Sequence, residues 1–264
     1  MAHAMFISHG SPEEVLRDSP ARRAWDRLGP SIRDTYRAIV VMSAHDEHHQ
    51  VSVGWADSFE TIDDFGAIFD RRLRDLRYPA RGDRRLAASI GDRLMADGIS
   101  ASVDHRPGLD HGAWTVLSRL DPAAVLPIVP LGVMPGASTA DHHRLGAALA
   151  DLPDDILVLG SGALTHRLQA VAWGEPDAPA HPRTRVFADW IGDRLAARDD
   201  VLAWEREAPH ALWNHPTPEH LYPLFFALGA AGPSPASHTM HRGYSHAVLA
   251  MDAYALGGAA AGLR

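Results

Sequence analysis

Four apolar runs rich in β-branched residues predict buried strands at well-separated places along the chain. None of these runs alternates polar with apolar positions, which is typical of strands that are covered on both faces of a sheet. The predicted strands span residues 4–8, 38–43, 125–133 and 156–160. The pattern therefore predicts a sheet built from strands that are distant in sequence.

The segments between these strands carry a helical pattern. Leu86, Ile90 and Leu94 recur at four-residue spacing and give a predicted helix over residues 84–96 one apolar face. Residues 139–152 and 184–197 show a similar spacing. Strands that alternate with helices predict an α/β fold, with a mostly parallel central sheet and helices on both of its faces.

A small strand pair is predicted near the C-terminus. Its strands span residues 237–241 and 247–254, and Arg242 with Gly243 would form the hairpin turn. Nothing in the composition of the 264 residues indicates a division of the chain. We therefore expect residues 1–264 to form a single domain.

The composition argues against several functional classes. A formal net charge of −8 does not suit a nucleic-acid partner, because such proteins need a basic surface to displace counterions. The absence of cysteine excludes disulfides, thiolate metal sites and a cysteine nucleophile. No apolar stretch approaches the roughly 20 residues that span a bilayer, and residues 1–8 lack the pattern of a signal peptide. We expect a cytoplasmic protein without nucleic-acid or membrane partners.

Histidine is unusually frequent, with 17 in the chain, and imidazole is the commonest metal ligand in proteins. His9, His45 and His166 each follow a predicted buried strand. In open α/β sheets ligands bind outside the carboxyl ends of the strands, so we expect these side chains at one edge of the sheet. A single histidine in such a place is more often a satisfied core residue than a ligand. Three independent placements favour a shared site.

Two further histidines are candidates because they lie near predicted helix starts. His111 follows Asp110, which can orient the imidazole as carboxylates near metal sites do, or act only as an N-cap. Thr217 is a predicted N-cap with Pro218 at the first helical position, which would place His220 in the first turn. His220 can equally be a capping or surface residue.

The histidines of the more polar segments are expected at the surface. These are His3, His48, His49, His142 and His143. A set of three or four imidazoles without thiolates suits zinc, iron, nickel or copper rather than calcium or magnesium. Loops at the carboxyl edge of a sheet carry catalytic sites more often than structural ones, which favours a metalloenzyme.

Five short motifs occur in order over nearly the whole chain. They are His9-Gly10-Ser11-Pro12, Ser43-Ala44-His45, Asp110-His111-Gly112, the stretch from Ser161-Gly162 to His166, and Pro216-Thr217-Pro218-Glu219-His220. In this order they resemble the extradiol ring-cleaving dioxygenases of the protocatechuate 4,5-dioxygenase superfamily, and within it the single-chain DOPA 4,5-dioxygenase group. Each motif alone is weak, so the resemblance depends on all five.

The resemblance implies a mononuclear non-haem Fe(II) site, with zinc possible in the isolated protein. The implied metal ligands are His9, His45 and His220. His166 corresponds to a histidine at the metal that is either a further ligand or the catalytic acid/base. His111 corresponds to a catalytic histidine near substrate and oxygen. The wider superfamily uses two histidines and a glutamate, so Glu219 stays an alternative ligand.

The resemblance also implies the substrates, a small-molecule catechol and O2, with both oxygen atoms entering the product. Ser11, Asp46 and Asp63 are the expected substrate-binding residues. Asp46 and Asp63 depart from the group, which usually has an aromatic residue at the first position and histidine or tyrosine at the second. A catechol with a cationic side chain that pairs with Asp46 or Asp63 is therefore an alternative to DOPA.

Two other interpretations use the same histidines. A zinc hydrolase would use them to activate water, although the chain has no HExxH motif and no evident second carboxylate placed as a base. A non-catalytic metal-binding or storage protein would have a closed coordination sphere. The hydrolase is the main alternative to catechol cleavage.

Overall fold

The computed structural model describes residues 2–105, 108–233 and 235–262. The strands are β1 (His3–Ser8), β2 (Ala38–Glu47), β3 (Ser52–Gly54), β4 (Ser58–Thr61), β5 (Ala80–Arg81), β6 (Ser102–Asp104), β7 (Gly108–Leu109), β8 (Ile128–Val133), β9 (Ile156–Gly162), β10 (Ser237–His241), β11 (Tyr244–Ser245), β12 (Leu249–Ala250) and β13 (Ala253–Gly257). The helices are α1 (Pro20–Thr35), α2 (Arg84–Ala96), α3 (His111–Leu120), α4 (Thr139–Ala147), α5 (Pro182–Ala197), α6 (Trp204–Glu207), α7 (Ala211–Asn214), α8 (Tyr222–Ala230) and α9 (Ala259–Gly262). Residues 1, 263 and 264, at the ends of the expected domain, lie outside the described residues.

The central sheet has eight strands among the described residues, in the order β10-β13-β1-β9-β2-β8-β3-β6. Its inner pairs β1–β9, β9–β2 and β2–β8 are parallel, and so is β3–β6. The pairs β10–β13, β13–β1 and β3–β8 are antiparallel. The predicted α/β fold with a mostly parallel sheet is confirmed.

Successive side chains of each inner strand enter apolar layers on opposite faces of the sheet. On β2, Val40 and Met42 pack into one layer, whereas Ile39 and Val41 pack into the other. Helices α2, α4, α5 and α8 cover the first face, and α1 and α3 cover the second. Burying one such side chain contributes about 1.5–3 kcal/mol. This two-sided cover explains why the strand segments are apolar throughout.

Within the described ranges, no helix combines the length and the apolarity that crossing a bilayer requires.

The C-terminal region contains a small antiparallel strand pair, β11 with β12, and the predicted strand over residues 237–241 is β10, but the hairpin through Arg242 and Gly243 is wrong. Strand β10 pairs instead with β13, and both join the edge of the central sheet. The chain enters the central sheet just after Asp252, whose buried carboxylate accepts hydrogen bonds from Tyr254 Oη (2.7 Å) and Arg242 Nε (3.2 Å). A buried carboxylate needs such donors. The hydrophobic periodicity of the sequence does not indicate these hydrogen bonds, so it could not predict the path of the chain at Asp252.

His142 is buried, so the expectation of a surface position is wrong for this residue. Its ring stacks on Tyr222, with 4.0 Å between ring centroids. Nδ1–H donates to the Ser138 carbonyl oxygen (2.9 Å), so Nε2 accepts from the Met134 N–H (3.1 Å). Because α8 packs directly on α4, a polar residue of α4 lies between the two helices.

Helices α4 and α8 approach closely because each has a glycine at the contact, Gly146 and Gly229. A Cβ atom at Gly146 would overlap the carbonyl oxygen of Phe226, and this backbone can move only if the helices separate. We expect Gly146→Ala to lower the free energy of unfolding by about 3 kcal/mol, at the upper end for overpacked cores. Urea-induced unfolding measures this loss.

Gly91→Ala is the matched control for this prediction. Gly91 lies inside helix α2, and nothing surrounds its Cβ position. Alanine there is expected to stabilise the protein by about 0.5–1 kcal/mol, because glycine is unfavourable inside a helix. Equal effects of the two substitutions would contradict the close packing of α4 on α8.

Candidate active site

Five histidines that are distant in sequence lie together at the carboxyl edge of the central sheet. His9 follows β1, His45 lies in the last part of β2, and His166 follows β9. His111 begins α3, and His220 lies in the turn before α8. The ring centroid of His45 lies 3.9 Å from that of His111 and 4.7 Å from that of His220. The structure therefore brings together all five histidines that the sequence indicated.

The order of the strands explains this convergence. Strands β1, β9 and β2 are parallel neighbours, and their register pairs Ser8 with Gly162 and Ser43 with Ser161. Their carboxyl ends are therefore level. Gly10 then has a φ of 68°, in the left-handed region that favours glycine. The chain thus turns away from the sheet immediately after the first histidine.

A serine sets the tautomer of His9. Ser161 Oγ donates its one proton to the carbonyl oxygen of Gly112 (2.5 Å), which can only accept. The same Oγ lies 3.1 Å from Nδ1 of His9, so it accepts a hydrogen bond from that nitrogen. Nδ1 of His9 therefore carries the proton, and Nε2 keeps the lone pair that a metal ion needs.

Two carboxylates hold His111 and His220 in the same way. Asp64 accepts hydrogen bonds from the backbone N–H of His111 (2.9 Å) and from its Nδ1–H (2.8 Å). Glu219 accepts from Nδ1–H of His220 (3.0 Å) and from the hydroxyl of Thr217 (3.0 Å). An acceptor at Nδ1 fixes the tautomer of a ligating histidine and leaves Nε2 free.

The free nitrogens have a spacing that suits a metal ion. Nε2 of His45 lies 3.2 Å from Nε2 of His220. Two nitrogen ligands at about 2.0–2.2 Å from one zinc ion are about 3.3–3.6 Å apart in a tetrahedral site, and closer at smaller ligand angles. At the histidine cluster, two sets of three residues have ligand atoms within 4.8 Å of one another: His9, His45 and His111, and His166, Glu219 and His220. This donor set, mostly neutral nitrogen, fits iron or zinc.

Burial lowers the pKa of four of these imidazoles and keeps them neutral: His9, His45, His166 and His220. It lowers the pKa of His45 and of His166 to about 3 in each case, and repulsion from neighbouring histidines adds to the effect. The pKa values of His9 and His220 fall well below 6.5, again by burial first and by neighbouring histidines second. The unprotonated nitrogens are therefore available to a cation at neutral pH.

A cavity of about 460 Å³ opens beside His45. Asp46, a predicted substrate-binding residue, lines it together with Glu60 and Asp64. The carboxylate of Asp46 also lies 2.9 Å from Nε2 of His48. The cavity reaches the histidine cluster from the side of strands β2 and β4.

The other two predicted substrate-binding residues lie elsewhere. Asp63 is exposed, does not line this cavity, and has its carboxylate 4.0 Å from Nε of Arg74. Ser11 is buried after the turn at Gly10, and its hydroxyl has no hydrogen-bond partner among the described residues. Their substrate contacts stay predictions.

Residues 3–255 match the family model described as the catalytic LigB subunit of aromatic ring-opening dioxygenase. The chain belongs to this family. The predicted membership among the extradiol dioxygenases is confirmed, and the chain is an enzyme of that class. The family also implies a metal cofactor, and the histidine cluster is suited to hold one.

The chain is similar to named dioxygenases over most of its length. The 4,5-DOPA dioxygenase extradiol of Beta vulgaris is 35% identical over 257 residues, which cover 94% of each chain. The protein of the same name from Escherichia coli strain K12 is 34% identical, over 86% of this chain and 84% of that one. The crystal structure of an uncharacterized protein from Escherichia coli K12 superposes with a TM-score of 0.80 at 29% identity, covering 97% of this chain and 99% of that chain.

The carboxylate that orients His111 in this dioxygenase is Asp64, which the sequence analysis did not select. Asp110, the expected candidate, is an N-cap instead, because it accepts hydrogen bonds from the Ala113 N–H (3.2 Å) and from Ser43 Oγ (2.5 Å). Asp64 precedes His111 by 47 residues, so no local spacing indicates the contact.

The prediction that a helix starts near Thr217 is also wrong, since α8 begins at Tyr222. Pro218 lies in a turn, and the hydroxyl of Thr217 donates to a neighbouring carboxylate instead of capping a helix. The carbonyl oxygen of His220 accepts from the Ala163 N–H (2.8 Å). This bond attaches the turn to the end of β9, so His220 is positioned by the sheet rather than by a helix.

His215 lies behind the cluster and gives the fold a dependence on pH. Its Nε2–H donates to the Leu164 carbonyl oxygen (2.9 Å), and its Nδ1 has no hydrogen-bond partner among the described residues. Burial lowers the pKa of His215 to about 4, although the bond to Leu164 opposes the shift. The pKa of this histidine in the unfolded chain is about 6.5. Between about pH 6.5 and pH 4, His215 is therefore protonated to a greater extent in the unfolded chain than in the folded one.

Stability is expected to fall as the pH falls below about 6.5. His215→Gln keeps a donor for Leu164 but does not titrate. Between pH 6 and pH 5 the metal-free wild type should lose about 1 kcal/mol more unfolding free energy than this variant. Chemical unfolding at the two pH values measures both losses, and identical losses would show that His215 is protonated in the folded protein.

Proposed function

We propose that the chain catalyses Fe(II)-dependent extradiol cleavage of a catechol, with both atoms of O2 entering the ring-opened product. The observation that carries this proposal is the convergence of five imidazoles at one sheet edge. In His9, His111 and His220, Nδ1–H is hydrogen-bonded to an oxygen atom, so Nε2 is the free nitrogen. Membership in a family of ring-opening dioxygenases supports it. The names of the relatives point to DOPA or a related 3,4-dihydroxyphenyl compound.

His9, His45 and His220 are the ligands in this proposal, with iron as the working metal and zinc as a possible replacement in the isolated protein. The 3.2 Å between Nε2 of His45 and Nε2 of His220 supports the assignment, and so does the ring of His9, whose centroid lies 5.1 Å from that of His45 and 5.8 Å from that of His220. When bound, the metal lowers the pKa of the catechol hydroxyls and supplies the redox chemistry that dioxygen requires. Glu219 acts through the His220 ring.

His166 acts as an acid/base rather than as a fourth ligand. Its ring is nearly parallel to that of His220, with an angle of 12° and 3.4 Å between centroids. The lone pair of an imidazole lies in the plane of its ring, so two parallel, stacked rings do not direct their lone pairs at one point. A neutral imidazole at this place can take a proton from a catechol hydroxyl at neutral pH.

His111 is the second catalytic histidine of the proposal. Its ring lies 3.9 Å from that of His45 and 5.8 Å from that of His9, measured between centroids. Nε2 is its free nitrogen, so it can accept the proton of the second catechol hydroxyl and later return that proton to the opened ring. Proton transfer at both ends of the reaction is thereby assigned to residues of this chain.

The cavity beside His45 is the substrate site, and Asp46, Asp104 and Glu60 contribute carboxylates to its wall. These groups favour a catechol whose side chain carries a positive charge over one with a carboxylate. We expect a lower KM for dopamine than for 3,4-dihydroxyphenylacetate, which differ mainly in that charge. Asp46→Asn should reduce this preference.

We also infer a single catalytic domain over residues 1–264 and a cytoplasmic location. The family match over residues 3–255 and the two apolar layers on one sheet support the single domain. The absence of cysteine is consistent with a location where disulfides do not form.

Reconstitution with Fe(II) under anaerobic conditions, followed by addition of O2 and a panel of catechols, tests the proposed function. We expect O2 uptake, a yellow product, and both oxygen atoms of ¹⁸O2 in that product. Resorcinol is the control substrate, because its hydroxyls are not adjacent. No uptake with any catechol, together with ester or amide hydrolysis by the zinc form, would replace the proposal by the zinc hydrolase.

A further inference from the structure

We propose that Asp64 is a positioning residue, which fixes His111 in the tautomer whose Nε2 can accept a proton from the substrate. The role in turnover rests on the proposed function, but the tautomer itself does not. One carboxylate holds both the backbone N–H and Nδ1–H of the same histidine, at 2.9 and 2.8 Å. The ring is therefore fixed relative to its own backbone.

The fold holds Asp64 in place through strand pairing. Thr61 of β4 pairs with Leu109 of β7, immediately before α3 begins. Ile62 N–H donates to the Leu109 carbonyl oxygen (3.1 Å), and Trp114 Nε1–H donates to the Ile62 carbonyl oxygen (3.2 Å). The segment before Asp64 is thus attached to both the start and the first turn of α3.

Two neighbouring rings restrict the movement of the His111 ring. The edge of Phe65 meets the His111 ring at an angle of 87°, with 5.8 Å between centroids. The His45 ring lies 3.9 Å away. Asp64 as a whole residue is exposed, but its side chain is only 23% exposed, compared with 7% for that of His111, so their hydrogen bond is largely shielded from water.

Asp64 has a second effect in addition to fixing the tautomer. When Nε2 of His111 takes a proton, the ring gains a positive charge, and the carboxylate on Nδ1–H stabilises that charge. A buried carboxylate has this function beside the histidine of serine proteases, where its amide analogue produces the wrong tautomer. Asp64→Asn is expected to do the same here. Its Oδ1 would still accept from the backbone N–H, so its NH2 group would face Nδ1 and force the proton to Nε2.

Kinetics and NMR on the same variants test this role. In the iron-loaded enzyme we expect Asp64→Asn to lower kcat on the order of 10²-fold or more, with KM changed by less than about threefold. Asp64→Asn combined with His111→Gln should be no slower than His111→Gln alone, because the two residues act as one unit. Asp75→Asn, the same change at an exposed site, should stay within about twofold of the wild type.

Long-range ¹H–¹⁵N spectra of the zinc-loaded protein report the tautomer without turnover, and His111→Gln assigns the signals. We expect the Nδ1–H form in the wild type and the Nε2–H form in Asp64→Asn. Retention of Nδ1–H in Asp64→Asn, or kinetic losses that multiply in the double variant, would overturn the role of Asp64. If the wild type consumes no O2 with any catechol, the proposed function fails, while the spectra still decide the tautomer.

Discussion

Replacing His45 with alanine is expected to abolish metal binding and, with it, dioxygenase activity. Nε2 of His45 lies 3.2 Å from Nε2 of His220, and the His45 ring also contacts those of His9 and His111. Changes to groups that only orient a ligand cost about 10–100-fold in metal affinity, so loss of a ligand should cost roughly 10³-fold or more. Competition with chelators of graded strength, followed by elemental analysis, measures the loss.

His49→Ala is the matched control, because His49 is exposed and only four residues away. It should bind metal with the affinity of the wild type. A near-ultraviolet circular dichroism spectrum verifies that His45→Ala is folded. If the folded variant retains stoichiometric metal after dialysis against a strong chelator, His45 is not a ligand.

Replacing His111 with alanine should leave the metal in place and slow turnover. His111 supplies a hydrogen bond and a proton in the proposed mechanism, and general acid–base catalysis contributes typically 10²–10⁴-fold. We expect kcat to fall by a factor in this range, about 10²–10⁴, with the iron content within about twofold of the wild type. His238→Ala, at an exposed position on β10, should change neither quantity.

The alternative outcome for His111 is specific. Its ligand nitrogen lies within 4.8 Å of those of His9 and His45, so the distances alone also permit coordination. If His111→Ala loses iron as His45→Ala does, His111 is a ligand, and His166 remains as the acid/base.

The sheet and the histidine cluster could be predicted from the sequence because both follow from local patterns. Buried parallel strands are apolar throughout, and their carboxyl ends align once they are neighbours in a sheet. Three histidines placed directly after such strands must then converge. These two regularities were sufficient to predict the fold that the structure confirms.

The features that were missed depend on contacts between distant segments. Asp64 reaches His111 through the pairing of β4 with β7, two strands too short to be recognised from alternation. His142 is buried because two helices cross at glycines, although its own helix predicts a polar position. The turn at His220 is held by Ala163, which is 57 residues earlier and gives no local signal.

Anomalous diffraction at the iron edge, from crystals of the Fe(II)-loaded protein, tests the central claim most directly. The proposal predicts one iron ion, bound by Nε2 of His9, His45 and His220 at about 2.0–2.2 Å. An iron peak at the separate group of Asp46, His48 and Asp104, whose ligand atoms also lie within 4.8 Å of one another, would contradict it.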